Sequence, residues 1–251
     1  MEARLYKLFV EANKNYKIIF KTYKILEKSY ELKIPIHSAG QWILDNMYII
    51  DQEYDNIKES ARSLKFKKLP IIKTHDGNKY ISIFYLAYEL VENNTGFIDQ
   101  YLILNCLKEH QKLSYLKSEE LDLFILMIKL SLLKFIARIC INITNSQQRK
   151  MDVENIISVE YKDNNLAKEL YNEFKYFNNF REYLIDPIKI KNTNTAFVEY
   201  MAYRLKEMGQ KGEKYYKVLN EEAEKIGFTI EEAIIKEHME IAKTTDYIGR
   251  A

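Results

Sequence analysis

Proline and glycine are scarce in this chain of 251 residues, with 3 and 7 copies. So few turn formers imply long helices joined by few loops. They also leave no glycine-rich loop to cradle a phosphate and no G-x-S-x-G nucleophile turn. Cysteine is scarce too. Cys106 and Cys140 lack C-x-x-C spacing and read as reduced, buried thiols, which suits a cytosolic setting. A charge of one sign is missing: the net is +2, too near neutral to argue for nucleic acid or a membrane surface. The first 17 residues carry no long uncharged apolar stretch, so they do not form a secretory leader. No family of metal ligands emerges. His37, His75, His110 and His238 are scattered, and no H-E-x-x-H occurs.

What the chain has is apolar content, 47%, ample for a core, and an unusual 20 tyrosines. Its most apolar run is residues 121–143, LDLFILMIKLSLLKFIARICINI. The polar residues Ser131, Lys134, Arg138 and Asn142 recur there at helical spacing, giving one narrow wet stripe on an otherwise apolar helix. Asp122, Lys129, Lys134 and Arg138 would each be costly in a bilayer, so the run reads as a buried core helix and not a membrane span.

Helical periodicity fills most of the remainder. Residues 3–31 carry a heptad-type seam through Leu5, Phe9, Ala12, Tyr16, Ile19, Tyr23, Leu26 and Tyr30, and Pro35 turns the chain after it. A second helix opens at Ser38, with Ser38 and Gln41 spaced as a capping box. Its seam runs through Ile43, Met47, Ile50, Tyr54, Ile57, Ala61 and Leu64. Two matched seams on a short link predict an antiparallel helical hairpin. Residues 65–78 interrupt the pattern with Pro70, four lysines and the turn signal Asp76-Gly77. Helices are then expected over 81–92, 98–113 and from Ser118 to about 148. Ser118 serves there as N-cap, with Glu119 and Glu120 complementing the helix dipole. Residues 153–161 read as a helical extension or a loop. Further helices are expected over 166–183 (rich in aromatics), 196–208 and 213–226, with a loop at 185–195. A last helix opens on a Thr229–Glu232 capping box. The fold class is therefore all-α, a multi-helix bundle of antiparallel hairpins around a central buried helix at about 121–143. Residues 1–150 would form the core bundle and 151–251 a second helical section packed on it. The last helix is still running at Ala251, as in a chain cut from a longer protein.

Candidate chemistry is thin. Paired carboxylates at 119–120, 221–222 and 231–232 stand at helix starts, where the dipole accounts for them. Glu237-His238, with Glu240 nearby, reads either as half of a site or as an ordinary polar helix face. Trp42, the only Trp, has Asp45 and Asn46 close behind, and reads as a packing anchor.

Several stretches in order resemble one family. Residues 41–46 (QWILDN), followed by Ile49, Ile50 and Glu53, are similar to its E-W-L-L-D-N segment. Leu69-Pro70 follows, then LAYELV at 86–91 where that family has L-A-W-E-L-V. Asp99, Gln111 and Glu120-Leu121 keep similar spacing, as do Phe197-Val198, Arg204-Leu205 and Glu237-His238 near the end. Departures stand at Tyr88, Asp122 and Lys134. The family is the cyclic β-1,2-glucan synthases, large bacterial membrane proteins, and the chain resembles their N-terminal soluble region. The resemblance implies a non-catalytic accessory module without a cofactor or metal of its own, at the cytoplasmic face of the cell membrane. Its partners would be the membrane-embedded glycosyltransferase and phosphorylase-like domains of the parent protein, which polymerise glucose from UDP-glucose, and β-1,2-glucan itself. Nucleic acid is not among them. Trp42, Asp45, Glu89, Glu237 and His238 are the residues expected to meet glycan or a partner. Two other readings stand beside this one. One is a standalone helical interaction protein. The other is a small glycan-active enzyme whose cleft would bring Trp42, Asp45, Glu89 and Glu237 together.

Overall fold

A computed structural model describes residues 2–63, 69–75, 77–160, 198–225, 227 and 229–250. The helix expected over 166–183, the loop at 185–195 and the lysines at 65, 67 and 68 lie outside the described residues. Within them the fold is all-α, with eight helices and one short β-ribbon. The helices are α1 (Glu2–Glu31), α2 (Ser38–Ser63), α3 (Ser82–Asn93), α4 (Gln100–Leu113), α5 (Ser118–Glu160), α6 (Val198–Glu207), α7 (Gln210–Lys225) and α8 (Ile230–Arg250). The expected extension of the central helix is real: α5 continues to Glu160, 43 residues in all. None of the helices is long and apolar enough to cross a membrane, among the residues described.

Two compact units divide the chain. The first takes Met1–Lys24, Ala39–Ile141 and Thr245–Ala251; the second takes Ile25–Ser38 and Asn142–Thr244.

In the first unit, α1 and α2 pack antiparallel. Tyr54 donates its hydroxyl to Asn13 and Tyr16 donates to Asp51, so the pairing moves three residues forward on α1 and three back on α2. The Tyr16 and Tyr54 rings stack at 4.0 Å. The α2 seam is buried as its spacing predicts, at Ile43, Met47, Ile50, Tyr54 and Ile57. The α1 seam differs. Leu5, Ala12 and Ile19 are buried every seventh residue, but the companion position in this unit is Thr22, not Tyr23. A threonine serves there because its hydroxyl is satisfied by the carbonyl of Ile18, one helical turn back, at 3.0 Å. Its small side chain admits α5 closely enough for a second contact to the Cys140 carbonyl at 3.3 Å.

The run at 121–141 is wrapped as an apolar helix must be, with Phe124, Met127, Leu130, Phe135, Ala137 and Cys140 all buried. Its polar stripe meets other helices. Ser131 bonds back to Met127, Lys134 pairs with Glu11 of α1, and Arg138 grips Glu92 of α3 through two hydrogen bonds of 2.9 and 2.8 Å. Lys129 pairs with Glu53 of α2. Ile125 and Ile141 stay exposed, so the helix is a core element with one face at the surface.

The interruption after α2 contains what the turn signal implied but periodicity missed. Strands β1 (Ile71–Lys73) and β2 (Lys79–Ile81) pair antiparallel, and Gly77 supplies the positive φ of 83° that the tight connection needs. Three-residue strands are too short to show an alternating pattern against helical flanks.

In the second unit, a core of Val153, Val198, Met201, Leu205, Leu219 and Ile230 joins the end of α5 to α6, α7 and α8. The Thr229–Glu232 capping box closes as expected: Glu232 Oε2 accepts from the Thr229 N–H at 2.8 Å and Thr229 Oγ1 accepts from the Glu232 N–H at 3.1 Å. The Gln41 side chain, by contrast, turns forward to donate to Asp45 at 2.8 Å.

Candidate functional site

The sequence-predicted site residues fall in both units. In the first, Trp42 is half-buried and its carbonyl accepts from the Asn46 side chain at 2.8 Å. Asp45 is exposed and held by Gln41 on its own helix. Glu89 is half-buried on α3. In the second unit, Glu237 and His238 meet the start of α6. Glu237 Oε1 accepts from the Val198 N–H at 2.7 Å and Oε2 from the Glu199 N–H at 3.1 Å. A helix start leaves its first N–H groups unpaired and carries partial positive charge, so a carboxylate there is stabilised twice. His238 is exposed, with Nε2 2.8 Å from the Glu199 carboxylate. These two residues therefore act as one structural clasp on α6.

Beside that clasp lies a polar cluster that motif reading passed over. Lys150 of α5 is only 1% exposed. Its ammonium donates to the Pro35 carbonyl at 3.0 Å and lies 2.8 Å from His37 Nε2. Gln147, one turn earlier and equally buried, donates to the same carbonyl at 3.0 Å. Pro35 and His37 belong to the link between α1 and α2. That link is placed by a sharp helix end: the Ile34 N–H returns to Ser29 and the Lys33 N–H to Tyr30, with Lys33 at φ 57°. This is the six-to-one and five-to-two bonding of a Schellman motif, built without glycine.

From α6, the Tyr200 ring sits 5.9 Å from the Lys150 ammonium. Tyr200 donates to Glu154 Oε1 at 2.6 Å, and Arg204 holds both oxygens of Glu154 at 2.7 and 3.0 Å. Arg204 also pairs with Glu207. Burial pushes the Lys150 amine down to about 8, opposed by the charges of Glu237 and Glu199. Burial and the bond to Glu154 raise the Tyr200 phenol. The bond to Glu154 likewise keeps the Arg204 guanidinium charged.

Chemically, the cluster can hold a proton between an amine and an imidazole in a site shielded from water. A signal for it does exist in the sequence. The buried register of α5 continues from Ile139 and Cys140 through Ser146 and Gln147 to Lys150 and Met151. Polar letters at core positions are what a hydrophobicity pattern cannot register. Among the described residues no group of His, Cys, Asp and Glu could hold a metal ion. No protein-family model matches the chain, and no curated protein matches it.

Proposed function

We propose that the chain is a non-catalytic helical interaction module. The observation that carries this reading is α4. None of its side chains is buried, while Tyr101 is 73% and Leu113 89% exposed, with Phe97 and Tyr115 exposed on its flanks. Asp99 fixes the helix start by accepting from the Leu102 N–H at 2.7 Å. A capped helix that contributes nothing fully buried to the core, and keeps aromatic and aliphatic groups at the surface, suits contact with another macromolecule.

A narrower form of the same reading makes the chain the N-terminal accessory region of a cyclic β-1,2-glucan synthase, docked on that enzyme's transferase domain at the cytoplasmic face of the membrane. It rests on the order of the resembling segments. The apolar letters of those segments are also packing positions, Ile43 in QWILDN and Ala87, Leu90 and Val91 in LAYELV. Helix packing alone would select the same letters, so the two forms need separate tests.

The purified chain is expected neither to hydrolyse UDP-glucose nor to transfer glucose from it; turnover lost on substitution of residues in this chain overturns the module reading. For the narrower form, the chain is expected to bind a detergent-solubilised cyclic β-1,2-glucan synthase lacking its own N-terminal region. A Tyr101→Glu, Leu104→Glu double variant that stays folded is expected to lose that binding. Absence of binding by the unmodified chain removes the narrower form and leaves the broader one standing.

A further inference from the structure

The Lys150–His37 contact combines two groups that cannot both carry the proton between them. Their nitrogens are 2.8 Å apart, and Lys150 is buried. For Nε2 of His37 to accept from an ammonium, the imidazole must be neutral with its hydrogen on Nδ1. An amine is the stronger base of the two, so at neutral pH the shared proton belongs to Lys150. A second proton, placed on Nε2, would set donor against donor and charge against charge in a site that water does not screen.

The surroundings do not relieve that conflict at close range. On the link, Pro35 offers only its carbonyl, already shared by Gln147 and Lys150. On α5, Glu154 is engaged by Tyr200 and Arg204. On α6, Tyr200 presents its ring, and Glu199 pairs with His238. On α8, Glu237 is committed to the backbone at the start of α6. Glu237 and Glu199 reach Lys150 through their charge.

We propose that Lys150 and His37 form an acid-released latch, which holds the α1–α2 link on α5 at neutral pH and lets it go when His37 takes up a proton. The link bears on the bond network of Pro35, so its release frees residues 33–37 from α5 while the core of Val198, Met201 and Leu205 stays packed. This inference does not depend on the identity of any partner.

The test is nuclear magnetic resonance on the full ¹⁵N-labelled chain between pH 8 and 5. The His37 ring nitrogens report its protonation, and the amides of Ile34, Ile36 and Ser38 report the link. In the unmodified chain these amides are expected to shift with the same midpoint as the His37 ring. In His37→Gln, whose amide oxygen still accepts from Lys150 but does not titrate, they are expected to stay in place over that range. In Lys150→Met the ring is expected to titrate without the amides following. The latch is overturned if the amides stand still while His37 titrates, if His37→Gln moves like the unmodified chain, or if His37 remains neutral down to the pH of global unfolding.

Discussion

Glu237 and Val198 are 39 residues apart, yet Glu237 Oε1 accepts the Val198 N–H at 2.7 Å. The same carboxylate takes the next N–H, that of Glu199, so the start of α6 is capped from α8. A cap borrowed from another helix ties helix formation to tertiary packing: α6 cannot present its first N–H groups to Glu237 unless α8 is docked. This makes a glycan-contact role for Glu237 hard to combine with its position, because both carboxylate oxygens are occupied and the residue is buried.

Removing that cap should therefore cost stability in graded steps. Glu237→Gln keeps one carbonyl acceptor and is expected to lose about 1 kcal/mol; Glu237→Ala leaves two N–H groups unsatisfied and should lose about 2–3 kcal/mol. His238→Ala removes an exposed pair and should change stability by less than about 0.5 kcal/mol. Urea unfolding followed by circular dichroism measures all three. Equal effects for Glu237→Ala and His238→Ala would mean that the capping geometry carries no weight.

The helices could be read from the sequence; the residues that bind them together could be read only in part. Hydrophobic period placed α2 and the apolar run of α5 because Ile, Leu and Met have no other way to be satisfied than burial. It misassigned α1, taking Tyr16, Tyr23 and Tyr30 as seam positions, where Thr22 is the buried residue and Tyr30 is exposed. A hydroxyl that bonds its own helix is apolar in effect, and a tyrosine with a reachable surface need not be buried. The Lys150 cluster escaped for a similar reason. Its partners, a proline carbonyl and a histidine over a hundred residues away, form no motif in one dimension.

Thr22 provides a direct test of that argument. It is fully buried, and its hydroxyl needs no partner outside α1. Thr22→Val preserves shape and is expected to cost at most about 1 kcal/mol, whereas Thr22→Leu adds volume where α5 passes and should cost about 2 kcal/mol or more. The reverse order, with Val worse than Leu, would place the value of Thr22 in its bond to the Cys140 carbonyl and not in its size.

The turn from α6 into α7 depends on Gly212 having no side chain. A Cβ built there would lie 1.8 Å from the Leu205 carbonyl oxygen and 2.9 Å from Met208 Cβ. Backbone cannot yield that distance without moving the end of α6, so Gly212→Ala is expected to destabilise the protein by more than about 2 kcal/mol. Gly249 is the control: it is helical with nothing within 4 Å of a Cβ, and Gly249→Ala should be neutral or stabilise by up to about 1 kcal/mol. If the two variants have the same melting temperature, α6 and α7 do not approach as described.

Lys150 predicts how stability responds to alkali. Burial lowers its folded value to about 8 from an ordinary 10.5. Between those two values the unfolded chain binds a proton that the folded chain does not, so this group makes folding more favourable as pH rises from about 8 to 10.5. The full span corresponds to about 3 kcal/mol at most. Cys140 works against it, because burial raises its thiol to about 12 and the unfolded chain then releases its proton first, lowering stability over part of the same range. Comparison with Lys150→Met separates the two, since Cys140 is common to both proteins. At pH 7 the variant should be the more stable, having no amine to desolvate. The difference should shrink steadily as pH approaches 10. Urea midpoints measured at half-unit steps from pH 7 to 10 follow this difference, and parallel profiles for the two proteins would show that Lys150 enters the folded state without losing its hydration.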